Sequence, residues 1–170
     1  MSNVETSTQS PFWKFSLGFY RGAGVSEACL ELQDDCGVDV NVMLFLLWMA
    51  TQKRRVPADR VRALADKMRP WQMDVIGPIR ALRRMLKTHA LLPDKGAAEL
   101  FRTKIKAIEL ESERLQQEAM YALAGDLTSE PVRSVDEAAR ANIEAYRSVA
   151  GRPFSAGAVE TLIKALPAGT

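Results

Sequence analysis

The stretch Gly37-Val38-Asp39-Val40-Asn41-Val42-Met43-Leu44-Phe45-Leu46-Leu47-Trp48-Met49-Ala50 constrains the fold more than any other. It opens on two polar residues and then runs apolar on every helical side. A helix with no polar face must be wrapped by other elements, so this one is expected at the centre of the molecule. Asp39 and Asn41 then stand at the mouth of a dry core, where polar groups need partners.

The surrounding pattern is helical. Ser10-Pro11 reads as an N-cap and first helical residue, followed by an aromatic helix carrying Phe12, Trp13, Phe15, Phe19 and Tyr20 and ended by Gly22-Ala23-Gly24. A second helix is predicted from Val25 to Asp35, stopped by Gly37. The central helix is capped by Asp39 and expected to end in Lys53-Arg54-Arg55, where positive charge suits the helix dipole. Pro57 opens a fourth helix and Pro70 a fifth, with a kink at Gly77-Pro78 because Pro78 cannot bond the Asp74 carbonyl. Residues 88–96 read as a loop.

A long helix follows over 97–124. Phe101, Ile105, Ile108, Leu115, Ala119 and Ala122 form its expected seam, flanked by Glu109, Glu111, Glu113 and Glu118. After a linker containing Pro131, Ser134 and Glu137 make a capping box for a helix bearing Ala139, Ile143, Tyr146 and Val149. Ser155 caps a last helix. No alternating strand pattern occurs. The expected fold is therefore all-α: a single irregular bundle of about six to eight helices around the buried one. Residues 1–9 are expected to be disordered, 10–124 to form the core domain, and 125–170 a C-terminal helical appendage.

Charge is uneven. Lys53–His89 carries 11 Lys or Arg against 3 Asp, while the whole chain is only +2. Such a block can meet nucleic acid, but the near-neutral total and the acidic long helix favour pairing within the chain. Arg80 and Arg84 share a helical face, as do Arg83 and Lys87; Glu109 and Glu113 face them or a ligand. Asp35, Asp39 and Asn41 could cap helices or hold a cation. Together Asp39, Asn41, Arg80, Arg84, Glu109 and Glu113 are the candidate ligand-binding residues.

Other chemistry finds no support. Cys29 and Cys36 lie about 10 Å apart on one helix, beyond disulfide reach, and read as thiols of a reducing compartment. His89 is the only histidine. No nucleophile elbow, P-loop or zinc-helix motif is present. Trp13, Trp48 and Trp71 read as core. No catalytic residue, metal or cofactor is expected. No leader is visible and the longest apolar run is far short of the ~20 residues that span a bilayer, so a cytoplasmic protein without a membrane partner is expected.

Several blocks carry a resemblance: Phe12-Trp13-Lys14-Phe15-Ser16-Leu17 with Tyr20 and Gly24-Val25, then Ala28-Cys29-Leu30 and Leu32-Gln33-Asp34; Gly37-Val38-Asp39-Val40-Asn41 with Leu44-Phe45 and Leu47-Trp48; Trp71, Val75, Pro78, Arg80 and Leu82-Arg83-Arg84 with Leu86-Lys87; and Glu109, Glu111 and Glu113-Arg114. Over residues 11–124 the chain resembles a family of uncharacterised proteobacterial proteins, classed as a domain of unknown function. The resemblance implies small, cytoplasmic proteins and carries over no activity, cofactor or catalytic residue.

Three functions are compatible with these residues. The favoured one is a non-catalytic helical protein acting through a protein partner or a homodimer, by way of the long-helix seam and the appendage. The second is an enzyme or small-ligand binder with a polar pocket beside the central helix. The third, nucleic-acid binding through 53–87, is the least favoured.

Overall fold

The structure is a computed structural model that describes residues 9–91 and 94–167. It is all-α, with eight α-helices among the described residues and one two-residue strand pair. Most of the segment expected to be disordered lies outside the described residues.

Helix α1, Pro11–Phe19, starts where the Ser10 hydroxyl accepts the Trp13 N–H at 3.0 Å. The Ser10 N–H donates in turn to Glu118 Oε1 at 3.1 Å, which ties this end to the long helix. Helix α2, Val25–Cys36, is bounded by Gly24 and Gly37, both left-handed at φ 75 and 67. Only glycine takes that conformation without cost.

Helix α3, Val40–Thr51, is the wrapped rod. Val42 through Leu47 are each at most 3% exposed, and α3 touches α1, α2, β1 (Arg54–Arg55), α4 (Ala58–Trp71), α6 (Lys95–Leu123) and α7 (Val135–Ala150). Burying each such side chain is worth about 1.5–3 kcal/mol, so this helix anchors the fold. Trp48 is half-buried and joins Phe12, Phe45 and Tyr121 in an aromatic cluster with centroids 5.3–5.8 Å apart.

The end of α3 departs from expectation. The helix stops at Thr51 and Lys53 adopts φ 54. Arg54–Arg55 is not helical but forms strand β1, antiparallel to β2, Glu130–Pro131. The Arg54 guanidinium fixes the pairing by donating to Ser129 Oγ at 2.9 Å and Ser129 O at 2.7 Å. Two residues are too few for alternation to show in a sequence.

Pro70 does not open a new helix either. Helix α4, Ala58–Trp71, runs through it into a π turn, Gln72–Ile76, and on into α5, Gly77–Met85. Proline at φ near −65° fits a helix, and each one costs a single backbone bond. The irregularity expected at Pro78 takes the form of that π turn, closed by the Gly77 N–H on the Gln72 carbonyl. A Cβ at Gly77 would lie 3.0 Å from that oxygen. Gly77→Ala is therefore expected to destabilise by about 1 kcal/mol, although the same change in a regular helix stabilises. Urea unfolding reads the sign, and a stabilised variant would rule out the π turn.

Helix α6, Lys95–Leu123, is capped by Asp94, whose Oδ1 accepts from the N–H groups of Gly96 and Ala97. Its expected seam is wrong by about a quarter turn. Ile105, Glu109, Ser112, Gln116, Gln117 and Met120 face inward, while Phe101, Ile108 and Leu115 are 47%, 53% and 45% exposed and Ala119 and Ala122 are exposed. The rotation brings Glu109 and Glu113 to the arginines of α5, which would otherwise be left unpaired beside the core.

Helices α7, Val135–Ala150, and α8, Ala156–Ala165, start at Ser134 and Ser155 as expected. Glu137 completes its box one residue early, on the Arg133 N–H at 3.1 Å. Helix α7 packs on α3 and α4, and α8 on α2. Asn142 of α7 is fully buried: its Oδ1 accepts the Val56 N–H at 2.8 Å and its Nδ2 donates to Leu46 O and Arg54 O at 2.9 and 3.0 Å. Among the described residues no helix is long and apolar enough to cross a membrane.

Candidate functional site

Helices α1, α2, α3, α5 and α6 enclose a cleft of about 450 Å³, within the range of small-molecule sites. Trp13, Leu17, Tyr20, Leu30, Val40, Leu44 and Leu110 give it apolar walls. Two polar assemblies complete it.

The first is an ion cluster. Arg80 of α5 donates through Nε to Glu109 Oε1 at 3.0 Å, through Nη2 to Glu113 Oε1 at 3.0 Å and through Nη1 to Gln33 Oε1 at 2.7 Å. Arg83 adds bonds to both oxygens of Glu109. The Glu109 side chain is only 8% exposed and that of Arg80 17%, so these are low-dielectric pairs rather than solvated ones. Helical spacing builds the cluster: 80 and 83 share a face of α5, 109 and 113 a face of α6.

The two carboxyl groups are driven apart. Burial pushes Glu113 above the ordinary 4.5, Arg80 opposes, and the negative charges of Glu109 and Asp39 push it further. Burial also pulls Glu109 upward, but the bonds and charges of Arg83 and Arg80 prevail and leave it lowered. Below 4.5 a raised Glu113 is protonated in both folded and unfolded chains. Above it the unfolded chain sheds the proton first, so stability falls as pH rises through the folded value. Glu109 acts oppositely: its contribution is present above 4.5 and lost as pH falls through its lowered value. Glu113→Gln keeps an acceptor for Arg80 and removes only the first effect. Its urea midpoint is expected to gain on the wild type between pH 4.5 and neutrality. A gap that stays constant over that span would contradict the raised Glu113.

The second assembly is a string of amides. Asp39 Oδ1 accepts the Asn41 N–H at 2.9 Å, capping α3, while its Oδ2 accepts Gln116 Nε2 at 2.7 Å. Asn41 Nδ2 donates to Gln116 Oε1 at 2.7 Å and Asn41 Oδ1 accepts Gln117 Nε2 at 2.8 Å. The Asp39 N–H donates to the Tyr146 hydroxyl of α7 at 2.9 Å. Burial raises the Asp39 carboxyl against those hydrogen bonds and the charge of Arg80.

The six residues singled out in the sequence thus fall in one neighbourhood with different parts. Asn41, Arg80, Arg84, Glu109 and Glu113 line the cleft. Asp39 stands behind the wall, joined to it through Gln116. Arg84 is exposed at the rim. Asp35 does not take part: it is exposed, and its carbonyl accepts from Arg152 at 3.3 Å. Trp71 is 37% exposed and donates to Ser112 O at 2.9 Å. No group of three metal-ligating side chains occurs among the described residues.

Sequence reading missed Ser16, Gln33, Gln116 and Gln117. The spacing 109-113-117 held a signal, since amides that extend a carboxylate row at i+4 lie on its face. Ser16 Oγ and Gln117 Oε1 are the two buried side-chain polar atoms without a hydrogen-bond partner among the described residues, and both residues line the cleft at 3% and 2% exposure.

The family model described as "Protein of unknown function (DUF2390)" matches residues 11–120. The chain belongs to that family. No curated protein and no solved structure matches it. Every residue lining the cleft falls inside the DUF2390 region, whereas α7 and α8 fall outside it.

Proposed function

We propose that this DUF2390 protein binds a small organic molecule in the cleft between α1 and α6. The observation that carries the reading is the pair of unpartnered buried atoms, Ser16 Oγ and Gln117 Oε1, on its wall. A buried polar atom left unbonded costs about 1–3 kcal/mol, and a ligand that bonds it recovers that cost. Apolar walls and a few convergent polar groups are the usual make-up of such sites.

Thermal-shift screening of a metabolite library tests it, run in parallel on Leu110→Trp. Leu110 is 47% exposed on the cleft wall, so indole fills the space without disturbing the core. A ligand at a hundredfold its Kd stabilises by about 2.7 kcal/mol. The expected result is a compound that raises the wild-type midpoint and leaves the variant unmoved. A library without hits, or hits that shift both proteins equally, would refute the reading.

One observation favours a second reading, a protein partner or a second copy: the exposed Phe101, Ile108 and Leu115 recur every seven residues along α6. Light scattering on the wild type and Ile108→Lys tests it; a monomer in both cases removes self-association.

A further inference from the structure

The amide string behind the cleft has a direction. Both Asp39 oxygens act as acceptors, so Gln116 turns its NH2 toward Asp39 and its oxygen toward Asn41. Asn41 therefore presents its own oxygen to Gln117 Nε2. Each amide offers one acceptor oxygen and one donor nitrogen, so fixing the first fixes the rest. The string ends on Gln117 Oε1, a buried acceptor that no group among the described residues serves. Whatever binds there must bring a donor.

The mouth of the cleft has the opposite requirement. Arg80 and Arg83 are engaged by Glu109 and Glu113. Arg84, Lys106 and Arg21 also line the cleft and are exposed. Among the described residues no side-chain hydrogen bond or ion pair holds any of the three. The rim therefore carries surplus positive charge. Gln117 and Lys106 lie on one helix, about 16 Å apart at 1.5 Å per residue, with leucine walls between.

Building on the ligand-binding reading above, the geometry points to an amphipathic organic anion as the occupant. Its carboxylate sits at Arg84 and Lys106, its apolar body lies along the leucines, and a hydroxyl at its far end donates to Gln117 Oε1. Arginine and lysine hold a carboxylate by charge-assisted bonds, and the Ser16 hydroxyl can donate to the oxygen of the ligand hydroxyl.

Isothermal titration of the full chain with ω-hydroxydecanoate, decanoate and decanediol tests this. The hydroxy acid is expected to bind about fivefold or more tightly than either other compound, and more weakly as salt is added. Gln117→Met should equalise the hydroxy acid and decanoate. Arg84→Gln with Lys106→Gln should equalise the hydroxy acid and the diol; both side chains are exposed and have no bond among the described residues, so this variant retains the fold, as circular dichroism checks. Decanoate or the diol binding as well as the hydroxy acid overturns the ligand class, and so does the failure of all three to bind. A neutral or cationic compound found in the library screen, and lost in Leu110→Trp, would uphold the cleft while overturning the anion.

Discussion

Replacing Asn142 by leucine is expected to cost about 4 kcal/mol, because the buried Val56 N–H and the part-buried Arg54 carbonyl lose their partner at about 1–3 kcal/mol each and the Leu46 carbonyl loses a second one. Domains of this kind are stable by only about 5–15 kcal/mol, so the change consumes much of the margin. Asn142 works as a clamp: one side chain on α7 closes the gap between the end of α3 and the chain entering α4. Chemical denaturation measures it directly, and a loss under about 1 kcal/mol would mean the clamp is open to water. The same reasoning makes α7 part of what holds α3 dry. A chain ended at Leu123 removes Asn142, Ile143 and Tyr146 from that contact and is expected to lose its cooperative unfolding transition.

Arg80→Met is the second large effect. Removing the guanidinium strips Glu113 of its only ion-pair partner among the described residues and Glu109 of one of two. Breaking a buried pair from one side costs about 3–5 kcal/mol, because the remaining charge is stranded in low dielectric. Adding Glu109→Gln and Glu113→Gln to Arg80→Met should therefore recover stability, although the triple variant has lost more polar contacts. Denaturation of the wild type, Arg80→Met and the triple variant decides: if the triple variant is the least stable, the carboxylates are not stranded charges and the account of the cluster fails. Arg140 gives a surface control, since its bonds to Asp136 and Glu160 are in solvent and Arg140→Ala should leave the midpoint where it is.

Much of the fold is legible from local chemistry. The caps at Ser10, Asp39, Ser134 and Ser155 are short-range devices in which one side chain meets an N–H two or three residues on, and the sequence displays them whole. The wrapped helix is equally visible, because no arrangement leaves Val42–Leu47 in water. Two features decided between elements are not legible: the inward face of α6 and the strand at Arg54–Arg55. The apolar residues of α6 point to one seam, yet its inward face carries Glu109, which meets Arg80 and Arg83 on another helix. Two charges seeking partners outweigh a few leucines that can remain at the surface. Arg54 and Arg55 read as a helix end because their strand partner lies some 75 residues away.

The candidate site divides along the same line. Arg80, Glu109 and Glu113 were found because their i,i+4 spacing advertises a shared face, and Asp39 and Asn41 because polar residues stand out at the mouth of an apolar rod. Ser16 and Gln117 were not, since a serine and a glutamine on helices are ordinary until burial shows that they lack partners. That is the feature on which the functional reading turns.

The most direct test is a high-resolution crystal structure of the full chain with ω-hydroxydecanoate. The account predicts an open cleft with the ligand hydroxyl within hydrogen-bond distance of Gln117 Oε1 and its carboxylate at Arg84 and Lys106. A cleft closed by α1 against α6, with Gln117 Oε1 bonded by a protein group or by water alone, would contradict it.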